Sequence, residues 1–398
     1  MIDAGLLGTE RHIVGDAEGY VWSESVPRDA WHLTGHIKTS PTARCLDTLL
    51  RLHGIEVPSP PEKFVTAMRH LVTGSITVPW RHVLPGDAYR QFFKNIVEVI
   101  KDVFPELSFD YYEGAWSAGG RVLSSLRPAA VDVKRLETHL AEGGASAPVL
   151  EGFRPKRSGF AHPVVYDRFG TRTGRLTVAE GPNFLVLKKT FRDVLRSSFE
   201  GGAVVSLDFR ALEARIVLGE AGRSSTADDI YEDVAAALFG GAFTRDAVKV
   251  AVLAELYGAS RSLLRTRLVG VTDAQLDGFV STIRTHFGVE NLRARLKAEL
   301  ASSGRIRNRF GRPLDVPPGQ DNLLINTYAQ SSGVDVSMLG FDEVIRRLGS
   351  EGVRPLFVLH DAVILDVSPA RLADVEAISS VAVPTYSTVF PLKLERIS

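Results

Sequence analysis

The chain has 398 residues, 44% apolar and 24% charged, and its 47 basic and 47 acidic side chains give a formal net charge of zero. That length supports two or three subdomains around a sizeable core, and the neutral balance excludes a uniformly basic, nucleic-acid-coating surface. The one cysteine, Cys45, excludes an intramolecular disulfide, and no apolar run approaches the roughly 20 residues of a membrane span. Asp3 and Glu10 stand where a secretory leader would carry a basic end and an apolar run, so the sequence predicts a cytoplasmic protein without a membrane segment.

Residues 1–54 show no clear periodicity and suggest no role. Pro58, Pro60 and Pro61 then mark a linker or sharp turn. Helices are predicted over 62–73 and 87–104, the second from the spacing of Tyr89, Phe92, Phe93, Ile96, Val97, Ile100 and Phe104. Another is predicted near 131–142, flanked by small-residue stretches at 118–120 and 143–147. From about residue 160, strands and helices alternate. Gly201-Gly202 turns into a strand at 203–208, followed by helices at 211–221, 228–239, 244–256, 273–286, 289–302 and 321–348. An apolar hairpin at 355–367 and a last strand from Phe390 to Glu395 complete the pattern.

Charge is clustered locally. Arg305, Arg307, Arg309 and Arg312 form one basic group; Arg168, Arg172 and Arg175, with Lys188, Lys189 and Arg192 after them, form another. Such groups are either solvated faces or stretches of a confined nucleic-acid track.

Three segments carry chemistry. Asp208 ends the apolar β-run 203–207, where an unpartnered buried carboxylate would be costly. A bound cation would relieve that cost; capping the next helix would do so equally. Glu213, five residues on, either faces back to the same point or lies exposed. Asp361 follows His360 between apolar runs 356–359 and 363–365, either as a plain hairpin turn or as a second site carboxylate. Two carboxylates converging on one point can hold divalent metals.

Between them, Arg245, Lys249, Leu253 and Tyr257 recur every four residues and share one helix face, spanning about 18 Å of axis. Cations at the N-terminal half suit a triphosphate, and the ring at the other end suits a base or sugar; an ordinary amphipathic helix is the alternative. A Gly-x4-Gly-Lys-Ser/Thr loop, His-Glu-x-x-His and Cys-x-x-Cys are all absent from the sequence.

Taken together the segments resemble family A DNA polymerases, the class of bacterial repair polymerases and many phage replicases. Thr173-Gly-Arg175-Leu resembles the family's Thr-Gly-Arg-Leu-Ser segment. Ser206-Leu-Asp208-Phe-Arg-Ala-Leu-Glu213-Ala-Arg215 resembles motif A, and Arg245 through Gly258 motif B. Asn326-x3-Gln330 resembles the segment that precedes motif C, and Val358-Leu-His360-Asp361 motif C itself. The likeness covers roughly residues 160–395.

The resemblance implies an α+β right-hand fold with an antiparallel palm sheet, helical fingers and a helical thumb. Its parts would be a thumb-like region at 55–150, palm at 151–222, fingers at 223–320 and second palm part at 321–398. It implies template-directed addition of dNTPs to a primer by two-metal nucleotidyl transfer. Asp208, Asp361 and the Phe209 carbonyl would hold two Mg²⁺, and Arg245 and Lys249 would hold phosphates. Tyr231, Leu253 and Tyr257 would line the nucleotide site, with Glu213 as a gate against a ribose 2′-hydroxyl. Arg175, Asn326 and Gln330 would read the minor groove, His360 would sit at the primer end and Arg312 on DNA phosphates.

The chain departs from the pattern at Ala362 (usually glutamate), Ala211 (glutamine), Tyr231 (often histidine), Leu253 (Phe or Tyr) and Val186 (asparagine). Asp16-Ala-Glu18 has an exonuclease-like spacing with too little chain before the thumb, so proofreading is not expected. A single-subunit RNA polymerase or primer synthase, and an inactive DNA-binding homologue, are the competing readings. Glu213 argues against the first, and the retained motif residues against the second.

Overall fold

In the computed structural model, the described residues are 11–15, 20–25, 30, 31, 33, 46–56, 58–71, 83–103, 109–155, 158–258, 261–268 and 270–398. Cys45, Phe104 and the Asp16–Glu18 segment lie outside them. The chain divides into two compact units, residues 1–117 and 118–398, a division that falls inside the 55–150 stretch. Within the first unit, a two-stranded ribbon pairs His12–Gly15 with Tyr20–Ser23, and the principal helices are Leu46–Leu52, Glu62–Leu71 and Gly86–Val103.

The second unit is built on a five-stranded antiparallel sheet. Its strands are β1 (Ala203–Phe209), β2 (Val353–Leu359), β3 (Ala362–Val367), β4 (Ser380–Ala382) and β5 (Val389–Arg396), in the spatial order β4-β5-β1-β3-β2. β1 and β3 are nearly continuous runs of apolar β-formers because both faces of the sheet are covered.

On one face Ala203, Val205, Leu207 and Phe209 pack against the second half of a 25-residue helix, Leu324–Leu348. On the other, Val204, Phe357 and Ile364 pack against residues drawn from 129–195. The two-residue alternation that splits β1 between these cores also sends Asp208 to the second face.

The helices of this unit are α1 (Leu212–Glu220), α2 (Ile230–Phe239), α3 (Arg245–Tyr257), α4 (Arg261–Arg267), α5 (Asp273–His286), α6 (Val289–Ser303) and α7 (Leu324–Leu348). α1 to α6 and the first turns of α7 share a third apolar core containing Val248, Val252, Phe279, Leu296 and Tyr328. Thr272 and Gln275 form a reciprocal capping box that starts α5. Among the described residues, no helix is long and apolar enough to cross a membrane.

α7 lies so close to β1 that a Cβ on Gly340 would come within 2.6 Å of the Phe209 ring and 3.0 Å of Val381. Gly340→Ala is therefore expected to cost about 1–3 kcal/mol, because Phe209 is hemmed in by Phe341 and Phe390 and has little room to retreat. A urea-denaturation midpoint unchanged by the substitution would contradict this packing.

Candidate active site

Sheet register brings the two carboxylates together. Asp208 is the cross-strand partner of Ala362, the residue after Asp361, and the Phe209 amide donates to the Asp361 carbonyl at 3.0 Å. The β2–β3 hairpin turns through His360 and Asp361, with His360 at a φ of +51°, where glycine is the usual occupant. Ala211 has the same left-handed φ of +51° and is the N-cap of α1, without a side-chain cap bond. The capping alternative for Asp208 therefore fails, and its carboxylate faces the cleft. Both positive-φ residues adjoin the carboxylates, at a cost of about 1–2 kcal/mol each.

The cleft has a volume of about 630 Å³ and draws on the sheet, the segment around Arg175, and helices α1, α2, α3 and α7. Lining it are Asp208, Phe209, Glu213, Tyr231, Arg245, Lys249, Leu253, Tyr257, Arg175, Gln330, His360 and Asp361, twelve of the fourteen residues singled out from the sequence. Arg312 and Asn326 do not line it. Arg312 is buried in the 306–314 hairpin, its guanidinium against Gly174, whose φ of +80° and missing Cβ make room for it. Asn326 stands on α7 with its Oδ1 buried and without a hydrogen-bond partner among the described residues.

Asp208 is pushed up to about 7 by burial, then by the charge of Asp361. Lys189 and Lys393 oppose that rise and Glu395 adds to it. Asp361 is raised as well, chiefly by burial, and burial lowers His360, assisted by the Arg175 charge. Two half-buried carboxylates, both raised by burial and one also by its neighbour's charge, mark a site short of positive charge.

The helix α3 presents its stripe as the spacing predicted. Arg245 donates to Asp229 and Asp246, both at 2.9 Å, and sits 5.5 Å from the Tyr231 ring. Tyr231 is pushed up to about 12, first by burial. At the other end Glu213 accepts hydrogen bonds from the Tyr257 hydroxyl and from Arg175, the latter at 2.9 Å. Tyr257, Glu213 and Arg175 thus form one hydrogen-bonded chain.

Several participants escaped the sequence reading. Arg210, Asp228, Asp229, Ser337, Met338 and Lys393 also line the cleft. None of them carried a signal readable from the sequence; Lys393 shares a face with Asp208 only through the register of β5 on β1.

Within the arginine cluster at 305–312 only Arg312 is buried, while Arg305 and Arg309 are engaged at the surface. Arg305 pairs with Asp315 at 2.9 Å, and Arg309 donates to the Thr385 carbonyl at 2.7 Å. Asn308 stitches the hairpin to α7, donating to Asp335 at 2.6 Å and Ser331 at 3.0 Å. In the other basic group, Lys189 pairs with Glu395 at 3.2 Å and Arg192 packs on the Phe184 ring at 4.9 Å.

Among the described residues no group of three or more His, Cys, Asp or Glu side chains could hold a metal by itself. The donor set still fits Mg²⁺, which typically takes one or two protein carboxylates and completes its shell with water and substrate phosphates. Asp208, Asp361 and the Phe209 carbonyl would supply the protein ligands. A cation there would relieve the mutual repulsion that raises Asp208.

An antiparallel palm sheet with two carboxylates at its rim, facing a helical fingers region across a cleft lined by side chains of both charges, is an α+β polymerase fold. The chain is 24% identical to the thermostable DNA polymerase I of Thermus thermophilus over 326 residues, which cover 73% of this chain and 38% of that protein. It is 23% identical to the corresponding Thermus filiformis protein over 270 residues, 60% of this chain and 32% of that one. The chain thus spans less than half the length of these curated relatives.

A solved structure of the polymerase domain of Pol1 from M. smegmatis, in complex with DNA primer-template and dNTP, aligns with a TM-score of 0.49 at 16% identity. That alignment covers 88% of this chain and 62% of that one. No protein-family model matches. The chain is thus similar, at 23–24% identity, to DNA polymerase I of Thermus species, in keeping with the motif resemblance.

Proposed function

We infer that the chain is a template-directed DNA polymerase that adds dNTPs to the 3′ end of a primer. The observation that carries this reading is the shared cleft. Asp208 and Asp361 meet at one rim of the sheet, and the Arg245–Lys249–Tyr257 face of α3 lines the same space.

Asp208, Asp361 and the Phe209 carbonyl would hold two Mg²⁺. When bound, these ions would favour ionisation of the primer 3′-hydroxyl and offset charge on the triphosphate and departing pyrophosphate. Arg245 and Lys249 would bind phosphate oxygens as charge-assisted donors, Arg245 being pre-oriented by Asp229. Tyr257 would pack beside the new base pair, and Glu213, held by Tyr257 and Arg175, would fill the space of a ribose 2′-hydroxyl. Arg175, Gln330 and His360, with Asn326 beyond the cleft wall, would contact primer-template DNA, whereas Arg312, buried against Gly174, would support the Thr-Gly-Arg-Leu turn and not reach DNA phosphates as the resemblance implied. Minor-groove acceptors are similar for all base pairs, which suits an enzyme indifferent to sequence.

Extension of a labelled primer with Mg²⁺ and dNTPs, lost in Asp361→Asn while primer-template affinity persists, is the result this reading predicts. Absence of extension by the unmutated protein despite tight DNA binding would favour an inactive relative. Glu213→Ala is expected to raise the relative use of ribonucleotides by about 10- to 100-fold, the loss of a steric barrier of about 1.4–3 kcal/mol. Equal use of dNTPs and NTPs by the unmutated chain would instead indicate an RNA or primer synthase.

A further inference from the structure

Five cationic side chains of arginine and lysine line the cleft, and three are already engaged: Arg175 with Glu213, Arg210 with Asp228 at 3.5 Å, and Arg245 with Asp229 and Asp246. Lys249 and Lys393 have neither an ion pair nor a side-chain hydrogen bond among the described residues. Lys249 projects from α3, whereas Lys393 comes from the sheet, where it is the cross-strand partner of Asp208. A single row across three strands therefore reads Lys393, Asp208, Ala362, with every member on one face. Lys393 and Asp361 flank Asp208 from opposite sides, since β5 and β3 are its two neighbours in the sheet.

An unpaired ammonium on a four-carbon stem is a mobile point charge, suited to following phosphate oxygens through a change of position. The primer end would approach from the hairpin carrying His360 and Asp361. The far side of Asp208, next to Arg210, whose amide donates to the Pro391 carbonyl on β5, is left for the triphosphate. We propose that Lys393 is a further phosphate-binding residue, holding the incoming triphosphate and the departing pyrophosphate from the sheet while Lys249 holds them from α3. The proposal rests on the polymerase reading above. It adds a binding contact on β5, outside every motif segment that carries the resemblance.

The test compares unmutated protein, Lys393→Ala and Lys393→Arg in single-nucleotide primer extension, with inhibition by added pyrophosphate and primer-template affinity measured alongside. Lys393→Ala is expected to raise the KM for dNTP and the inhibition constant for pyrophosphate together, by about 5- to 10-fold. Primer-template affinity should stay within about twofold, and Lys393→Arg should keep both constants near the starting values. An active unmutated protein whose dNTP and pyrophosphate constants are indifferent to Lys393→Ala overturns the assignment. So does a variant that loses primer-template affinity alone, which would place Lys393 on the DNA backbone. Inactivity of the unmutated protein would instead remove the polymerase reading on which the proposal rests.

Discussion

Replacing Arg215 with methionine is expected to lower the stability of the 118–398 unit by about 3–5 kcal/mol, the penalty of breaking a buried charged network on one side. The Arg215 side chain is 2% exposed. Its Nε donates to the Arg210 carbonyl at 2.9 Å; its two Nη atoms donate to the carbonyls of Ser225 at 2.8 Å, Ala227 at 2.5 Å and Asp228 at 3.2 Å. Four main-chain acceptors from two loops are thus satisfied by one guanidinium, a geometry that neither lysine nor methionine can reproduce.

The network also positions chemistry. The loop it holds delivers Asp229, which caps α2 and orients Arg245. Arg215→Met should therefore raise the KM for dNTP as well as lowering the unfolding midpoint. Denaturant unfolding monitored beside primer extension checks both effects, and an unchanged midpoint would contradict the assigned role.

Asp208→Asn is expected to do two opposite things. It should reduce nucleotide addition by at least about a thousandfold, since a neutral amide is a poor ligand for a divalent cation. It should also stabilise the metal-free protein at alkaline pH. Burial and the Asp361 charge raise Asp208 to about 7. Between the ordinary carboxylate range and that value, the folded chain holds a proton that the unfolded chain has released. Stability therefore falls as pH rises through this window and levels off above it.

Removing the charge removes that loss, so in chelator at pH 8 the variant should be more stable by on the order of 2 kcal/mol. The gain should shrink as pH falls towards 4. Thermal unfolding in chelator at the two pH values decides it: a wild-type protein at least as stable as the variant at pH 8 would mean that Asp208 is not strained by its surroundings.

Much of the site was legible because its residues break local patterns. Asp208 and Asp361 stand at the ends of apolar β-runs, and polar interruptions of such runs have few inexpensive explanations. The α3 stripe was legible because helical spacing fixes which side chains share a face. Helix α5 was predicted at its observed limits of 273 and 286, since the threonine–glutamine box and the final basic turn punctuate it.

Other features have no local signature. The left-handed conformation of Ala211 is set by the strand-to-helix corner, against the preference of an alanine. The arginines at 305–312 form a dense basic cluster in sequence, but only the folded chain shows that Asp315, Thr385 and the niche over Gly174 occupy three of them. Lys393 reads as an unremarkable exposed strand residue until sheet register sets it beside Asp208. Cross-strand neighbours almost 200 residues apart leave no trace in a one-dimensional pattern.

The most direct measurement of the central claim is single-nucleotide incorporation on four primer-templates that differ only in the next template base, each offered the four dNTPs one at a time with Mg²⁺. The account predicts addition of the complementary nucleotide on each template, and loss of addition on all four in Asp208→Asn and Asp361→Asn. Addition that ignores the template, or survives removal of either carboxylate, would contradict it.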